Sequence, residues 1–230
     1  MEKANSLPTV LQALASVPLF ADLKPEVLAS IAAITLSRQY QAGEILFHDG
    51  ETCQGLYIVQ SGWLKGMIVS SKGKEQIIRL LGPGDTFNEH GVLLKEGCNL
   101  VTVQAIEPSR LWVVDRQALL KLMDQHPVIC RTIAQNMASR VVHLLKLVED
   151  LSLRTVEARL ARLLLDQPPG SPKRRRRATQ AEMAAQLGTV ADVINRTLHR
   201  LEDEGLIQIK KQKVEILDRE RLLLKAELRE

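Results

Sequence analysis

Along the first half of the chain, apolar residues come in short runs broken by glycine: GEILFHDG, GLYIVQSGWLKGMIVSSKGKEQIIRLLGPGDTF and NLVTVQAIEPSRLWVVD. Short β-branched runs with turn residues at this spacing predict an antiparallel sandwich or barrel. Ser-Lys-Gly-Lys at 71–74 sits between two such runs and predicts a hairpin tip. A short helix is expected over 24–35, with Pro25 in its first turn.

The period then changes. Ile129, Ile133, Met137, Val141, Leu144, Val148 and Leu151 recur at steps of four, four, four, three, four and three. They predict one long helix over 127–153 whose apolar stripe has the spacing of a coiled-coil seam. A helix packing inside its own chain shows a similar stripe. The length of the stripe and its place between two domains favour a two-fold helix pair, with Ile133, Met137, Val141, Leu144, Val148 and Leu151 at the interface. A further helix over 155–165 ends at QPPGSPKRRRRA, where prolines stop it and a basic loop begins.

Residues 179–207, TQAEMAAQLGTVADVINRTLHRLEDEGLI, carry the sharpest local signal. Thr179 followed by Glu182 is a capping box that starts a short helix ending at Leu187. Gly188 permits the left-handed backbone that leaves it. Thr189 and Asp192 repeat the cap pattern for a second helix reaching about Glu204. Gly205 ends that helix, and LIQIKKQKVEIL reads as a two-stranded wing. Two helices joined by a short turn also occur in ordinary cores. Here the small Ala184, the glycine turn, the wing and the local charge occur together, which points to DNA.

In a helix-turn-helix the N-terminal half of the second helix enters the major groove. Val190, Ala191, Asp192, Asn195 and Arg196 are therefore the expected base-reading residues. Arg196 suits guanine, Asn195 adenine and Asp192 cytosine. Thr179, Gln180, Thr189, Arg200 and Lys211 complete the expected DNA contacts; of these Thr179, Gln180, Arg200 and Lys211 are assigned to phosphates. Asp192 as a plain helix cap and Arg200 as an ion-pair partner of Glu204 are the structural alternatives.

Charge supports this placement. Residues 1–170 carry 17 basic and 17 acidic side chains, and residues 171–230 carry 14 and 10, so the net +4 lies in the last quarter. A local cationic excess attracts a phosphate backbone. At 230 residues, with 45% apolar and 25% charged, the chain has the mixture of a soluble protein able to bury a core. It lacks an apolar run near the ~20 residues of a membrane span. With an N-terminus unlike a signal peptide, this suggests a cytoplasmic location and no membrane partner. Cys53, Cys98 and Cys130 are odd in number and far apart, which argues against a disulfide framework, and no spacing suggests a metal site. No Gly-rich phosphate loop, HExxH or GxSxG elbow is present, and nothing orients Glu89–His90 as an acid–base pair, so an enzyme is not expected.

The order of β-rich domain, long helix and winged helix-turn-helix resembles the cyclic-AMP receptor protein/FNR (CRP/FNR) family of bacterial transcription regulators over nearly the whole chain. GDTFNEHGVL at 84–93 and EMAAQLG…R…L…GLI in the reader carry the likeness. The resemblance implies an α+β chain. Residues 1–126 form a cyclic-nucleotide-binding-like β-barrel or jelly-roll sensor, 127–153 a dimerisation helix, and 154–230 the DNA-binding domain. It also implies a homodimer on palindromic double-stranded DNA and, by analogy, contact with RNA polymerase.

The effector pocket implied by the family falls on Glu89, His90, Asn99, Leu100, Leu144 and Leu145. Glu89 matches the family's ribose-binding glutamate. The Arg-Ser pair that holds the cyclic phosphate is replaced by Asn99 and Leu100, and the adenine-binding Thr and Ser by Leu144 and Leu145. Cyclic AMP is therefore not the expected effector. The cysteine cluster of the oxygen sensors is absent before Cys53. His90 falls where the carbon-monoxide sensors place a haem ligand, although Asn88 replaces their neighbouring cysteine ligand and the chain does not begin Met-Pro. No cofactor is expected as the main reading, with haem on His90 as the alternative.

Overall fold

The computed structural model describes residues 7–165, 178–210 and 213–227. In chain order these form α1 (Leu7–Ala15), a 3-10 turn (Pro18–Phe20), α2 (Pro25–Ala33), β1 (Thr35–Tyr40), β2 (Ile45–Phe47), β3 (Gly55–Ser61), β4 (Leu64–Val69), β5 (Glu75–Leu81), β6 (Thr86–Phe87) and α3 (Glu89–Leu93). They continue with β7 (Thr102–Ala105), β8 (Ser109–Asp115), α4 (Arg116–Gln125), α5 (Pro127–Leu153), α6 (Val156–Leu165), α7 (Gln180–Leu187), α8 (Ala191–Asp203), β9 (Ile207–Lys210), β10 (Lys213–Ile216) and α9 (Arg219–Lys225). The chain divides into two compact units within α5, between residues 143 and 144, and Val69–Ile77 is grouped with the second unit.

Two four-stranded sheets, ordered β1-β8-β3-β6 and β2-β7-β4-β5, make the expected sandwich. Tyr57 and Val59 of β3, with Leu111 and Val113 of β8, join the aromatic cluster of Phe47 and Phe87 between the sheets. The alternate residues Leu56, Ile58, Trp112 and Val114 join a second core with α1, α2, α4 and the start of α5. Side chains alternate across a strand, so β3 and β8 serve both cores at once. The stretch therefore reads as a continuous apolar run rather than as an alternation.

The hairpin tip at 71–74 forms as expected, with Gly73 at φ +75°. The helix expected over 24–35 is shorter, because Thr35 already pairs with Val114 as the first residue of β1. α1, α4 and α9 were not foreseen. α4 is started by Asp115, whose Oδ1 accepts from the Ala118 N–H at 2.8 Å.

The expected interface stripe on α5 divides in two. Ile133 is 1% exposed and, with Ile129, belongs to the first unit's own core; Met137 packs against that core. Ile133 is thus corrected from a seam residue to a core residue. Farther along, Val141, Leu144 and Val148 are exposed by 54%, 44% and 59%. No helix among the described residues is long and apolar enough to cross a membrane.

The second unit buries Leu160, Ala161 and Leu165 of α6 with Ala184, Leu187, Ile194, Leu198, Leu201, Leu206, Ile207 and Leu222. Strands β9 and β10 pair antiparallel as the wing.

Candidate DNA-reading surface and sensor site

The reader begins with a complete capping box: Thr179 Oγ1 accepts from the Glu182 N–H at 3.1 Å, and Glu182 Oε2 accepts from the Thr179 N–H at 2.8 Å. Thr179 thereby fixes the first turn of α7. At the other end Gly188 adopts φ +67°, and both its N–H and that of Thr189 go to the Ala184 carbonyl. This left-handed exit sets the angle at which the second helix departs.

α8 does not repeat the capping box expected at Thr189 and Asp192. Its N-cap is Val190, extended and without a side-chain cap, so the helix starts at Ala191. Asp192 falls in the first turn, where its charge suits the positive helix end, and pairs with Arg196 one turn on at 3.1 Å. Ile194, Leu198 and Leu201 turn into the core, while the Asp192 and Arg196 side chains are exposed by 76% and 68%. Val190, Ala191, Asp192 and Arg196 are exposed and Asn195 is half-buried, so the expected readers share one end of one helix. Gln180, at the start of α7, donates from Nε2 to Asn195 Oδ1 at 3.0 Å.

Arg200 is exposed but engaged by a partner other than the one expected. Its guanidinium pairs with Glu157 of α6 at 3.2 Å, while Glu204 pairs with Lys225 at 2.9 Å. Lys225 also bonds Glu157 at 2.8 Å and holds that carboxyl below the usual carboxylate range. Sequence inspection missed this link, because its partners lie 43 and 68 residues apart. Lys211 and the basic run at 173–177 lie outside the described residues.

In the sensor unit the expected pocket residues Glu89 and Asn99 are occupied by neighbours outside the expected set. Glu89, 3% exposed, accepts at Oε1 from Thr86 Oγ1 at 2.6 Å and from Asn136 Nδ2 at 3.3 Å, with Arg140 at 3.9 Å. Two guanidiniums, of Arg79 and Arg140, each donate to the Thr86 carbonyl at 3.0 Å, and Arg79 pairs with Asp85. Burial pulls the Arg79 guanidinium below its ordinary pKa, against the opposing pull of Asp85. Asn136 and Arg140 carry no local motif, and only the fold brings them to Glu89.

Asn99 is 1% exposed, and its Oδ1 accepts from Asn88 Nδ2 at 2.9 Å. Asn88 holds φ +71°, a strained choice for a residue with a side chain, and also donates to Cys53 Sγ and the Gly55 carbonyl. A Cβ at position 91 would lie 2.7 Å from Asn88 Oδ1, which explains Gly91. Leu100 is exposed. Leu144 and Leu145 are exposed on the part of α5 that belongs to the second unit.

His90 is half-buried, and its Nε2 is sealed from solvent without a hydrogen-bond partner among the described residues. Burial lowers its pKa, with Glu89 opposing. An axial haem ligand needs a ring nitrogen open to a space that admits a macrocycle. Neither of two cavities in the sensor, ≈ 400 and ≈ 350 Å³, is lined by His90, so its sealed Nε2 opens onto neither.

Residues 37–126 match the cyclic nucleotide-binding domain family and residues 158–224 the Crp-like helix-turn-helix domain. The chain is 30% identical to the cyclic AMP receptor protein of Thermus thermophilus, over 86% of this chain and 92% of that one. It is likewise 30% identical to the probable transcriptional regulator flp of Lacticaseibacillus casei, over 90% and 94%. Its fold is similar to that of a protein described as a crp/fnr-family transcriptional regulator from Eubacterium rectale, with a TM-score of 0.76 and 25% identity over 93% and 99% of the two chains. With a sensor sandwich, a winged reader and relatives of this identity and coverage, the chain belongs to the CRP/FNR family of DNA-binding transcription regulators.

Proposed function

We propose that the protein works as a homodimer on a palindromic operator, reading each half-site with the N-terminal end of α8, and that cyclic AMP is not its effector. The observation that carries the reading is the split of α8 itself. One face is fixed in the core by Ile194, Leu198 and Leu201, and the opposite face offers Asp192, Asn195 and Arg196 to a groove. Arg196 has the fork to take guanine O6 and N7 together. Family membership supports a further contact with RNA polymerase.

The exposed Val141, Leu144, Leu145 and Val148 on α5 fit a second copy of the same helix. Each aliphatic side chain buried there contributes about 1.5–3 kcal/mol.

Against cyclic AMP stands the neutral Asn99 at the family's phosphate-binding position, buried and committed to Asn88. A buried phosphate needs a paired cation. Among the described residues the nearby Arg116 is already held by the Gly91 and Leu94 carbonyls at 3.2 and 2.9 Å.

Selection of a randomised DNA pool by the full-length protein, alone and with cyclic AMP, tests both parts. The expected product is a palindrome enriched equally with and without nucleotide. Replacing Val141 and Leu144 by Lys should yield monomers in light scattering and abolish enrichment. Dimers that survive both substitutions would place the seam elsewhere.

A further inference from the structure

Position 195 carries a carboxamide, and a free carboxamide reads adenine with both ends: the oxygen accepts from N6 and the nitrogen donates to N7. Here the two ends are not equally free. Gln180 Nε2, from the first helix of the reader, donates to Asn195 Oδ1 at 3.0 Å. The oxygen of Asn195 is thus turned toward α7, and the two ends of an amide diverge, so Nδ2 is turned away from it. Nδ2 carries two donor hydrogens and no acceptor capacity, and among the described residues it has no partner of its own. Its neighbour one place on, Arg196, is also purely a donor.

We propose, building on the reading of α8 as the base-contacting helix, that Gln180 is a specificity-determining positioning residue. By holding the oxygen of Asn195 it makes that side chain a donor, directed at an acceptor-rich base edge, with guanine O6 and N7 the best match and thymine O4 next. The sequence alone suggested adenine at Asn195 and a phosphate at Gln180; the hydrogen bond between them changes both assignments. Gln180 acts on the base through Asn195, one helix away from the groove-reading face.

The same bond makes the proposal testable by inversion. An alanine at 180 frees Asn195 Oδ1, so both amide ends become available and adenine becomes the preferred base. A glutamate at 180 can only accept. It turns the Asn195 amide over, bonding Nδ2 and presenting Oδ1, which favours a donor edge such as cytosine N4 or adenine N6.

The experiment is selection of a randomised half-site pool by full-length wild type, Asn195→Ala, Gln180→Ala and Gln180→Glu, with sequencing of the bound fraction. Thermal melting accompanies each variant; Gln180 is exposed and Asn195 only half-buried, so folding should persist. The expected wild-type profile has guanine or thymine at one base pair per half-site, and Asn195→Ala should flatten that pair alone. Gln180→Ala should shift that same pair toward adenine by roughly tenfold in the ratio of bases, within the range of one well-formed base contact. Gln180→Glu should shift it toward a donor edge.

A Gln180→Ala protein that binds every sequence more weakly with an unchanged profile overturns the proposal and returns Gln180 to the phosphates. A wild-type preference for adenine at the pair lost in Asn195→Ala also overturns it, as does an Asn195→Ala profile identical to wild type. If Arg196→Ala and Asn195→Ala both leave every base preference intact, the reading face of α8 itself is wrong. That failure is distinguishable from a fault confined to Gln180.

Discussion

The polar side chains of the sensor unit and those of the reader unit are held in opposite ways. In the sensor, Glu89, Thr86, Asn88 and Asn99 are buried and bonded in pairs, Thr86 to Glu89 at 2.6 Å and Asn88 to Asn99 at 2.9 Å. In the reader, Asp192 and Arg196 pair in the open, and Gln180 meets Asn195 at the surface. An exposed ion pair such as Asp192–Arg196 is worth little, typically about 0.2–1 kcal/mol, so an arriving base edge can displace it at small cost. A buried polar network cannot exchange partners so cheaply, because each orphaned group loses its solvation as well. The ion pair at the reading end of α8 is therefore easily exchanged, while the polar groups around Glu89 and Asn99 are fixed by buried bonds.

The sharpest way to break this contrast is to force the nucleotide-binding charge back into the sensor. Asn99→Arg places a guanidinium where Asn88, Cys53 and the Gly55 carbonyl already fill the space around Asn99. Burying an unpaired charge there should cost several kcal/mol, seen as a lower midpoint of denaturant unfolding, with no saturable heat on titrating cyclic AMP. A variant as stable as wild type would mean the site is open enough to take a ligand.

On the reader side the expected effect is on recognition rather than stability. Arg196→Ala should lose about 1–3 kcal/mol of discrimination at one base pair per half-site. Its folding stability should stay within about 0.5 kcal/mol of wild type, as for other surface substitutions. Binding measured on the selected operator and on single-base variants checks the first, and thermal unfolding the second. A large loss of stability would show that the Asp192–Arg196 pair is structural after all.

The smallest effect concerns Glu157, tied to Lys225 and Arg200. Lys225 holds the folded-state pKa of Glu157 down, so the unfolded chain binds more protons as the solution is acidified. The contribution is present above the ordinary glutamate pKa of about 4.3 and disappears as pH falls through the lowered folded value. Glu157→Gln should cost about 1 kcal/mol at neutral pH and remove this part of the acid dependence. Unfolding curves at pH 7 and below pH 4 would register a difference that shrinks with acidification; a constant difference would rule out the charge as its source.

How far the sequence could be read depended on the range of the interactions involved. The α7 capping box, the Gly188 exit and the wing are set within a few residues, and all were visible. The N-cap of α8 was misjudged because Thr189 is spent on closing α7, a conflict apparent only once both helices are placed. Periodicity marks the apolar face of α5 but not what covers it, so it assigns Ile133 to a partner although the residue's own core claims it. Arg140 near Glu89 and Arg200 on Glu157 depend on chain crossings that no local pattern encodes. The short α1, α4 and α9 give too few turns for a helical period to stand out.

The shared strands β3 and β8 leave their own mark on how this sensor can change over generations. Every residue from Leu56 to Val59 and from Leu111 to Val114 is committed to one of two cores. A deletion of one residue there exchanges the two sets of side chains across the sheet, damaging both cores in a single event. Variation in this family member is thus channelled to other places, such as the mostly exposed β1 and the loops. A peptide tag or reporter inserted into the sensor belongs in an exposed loop, not in the strands that bind the two cores together.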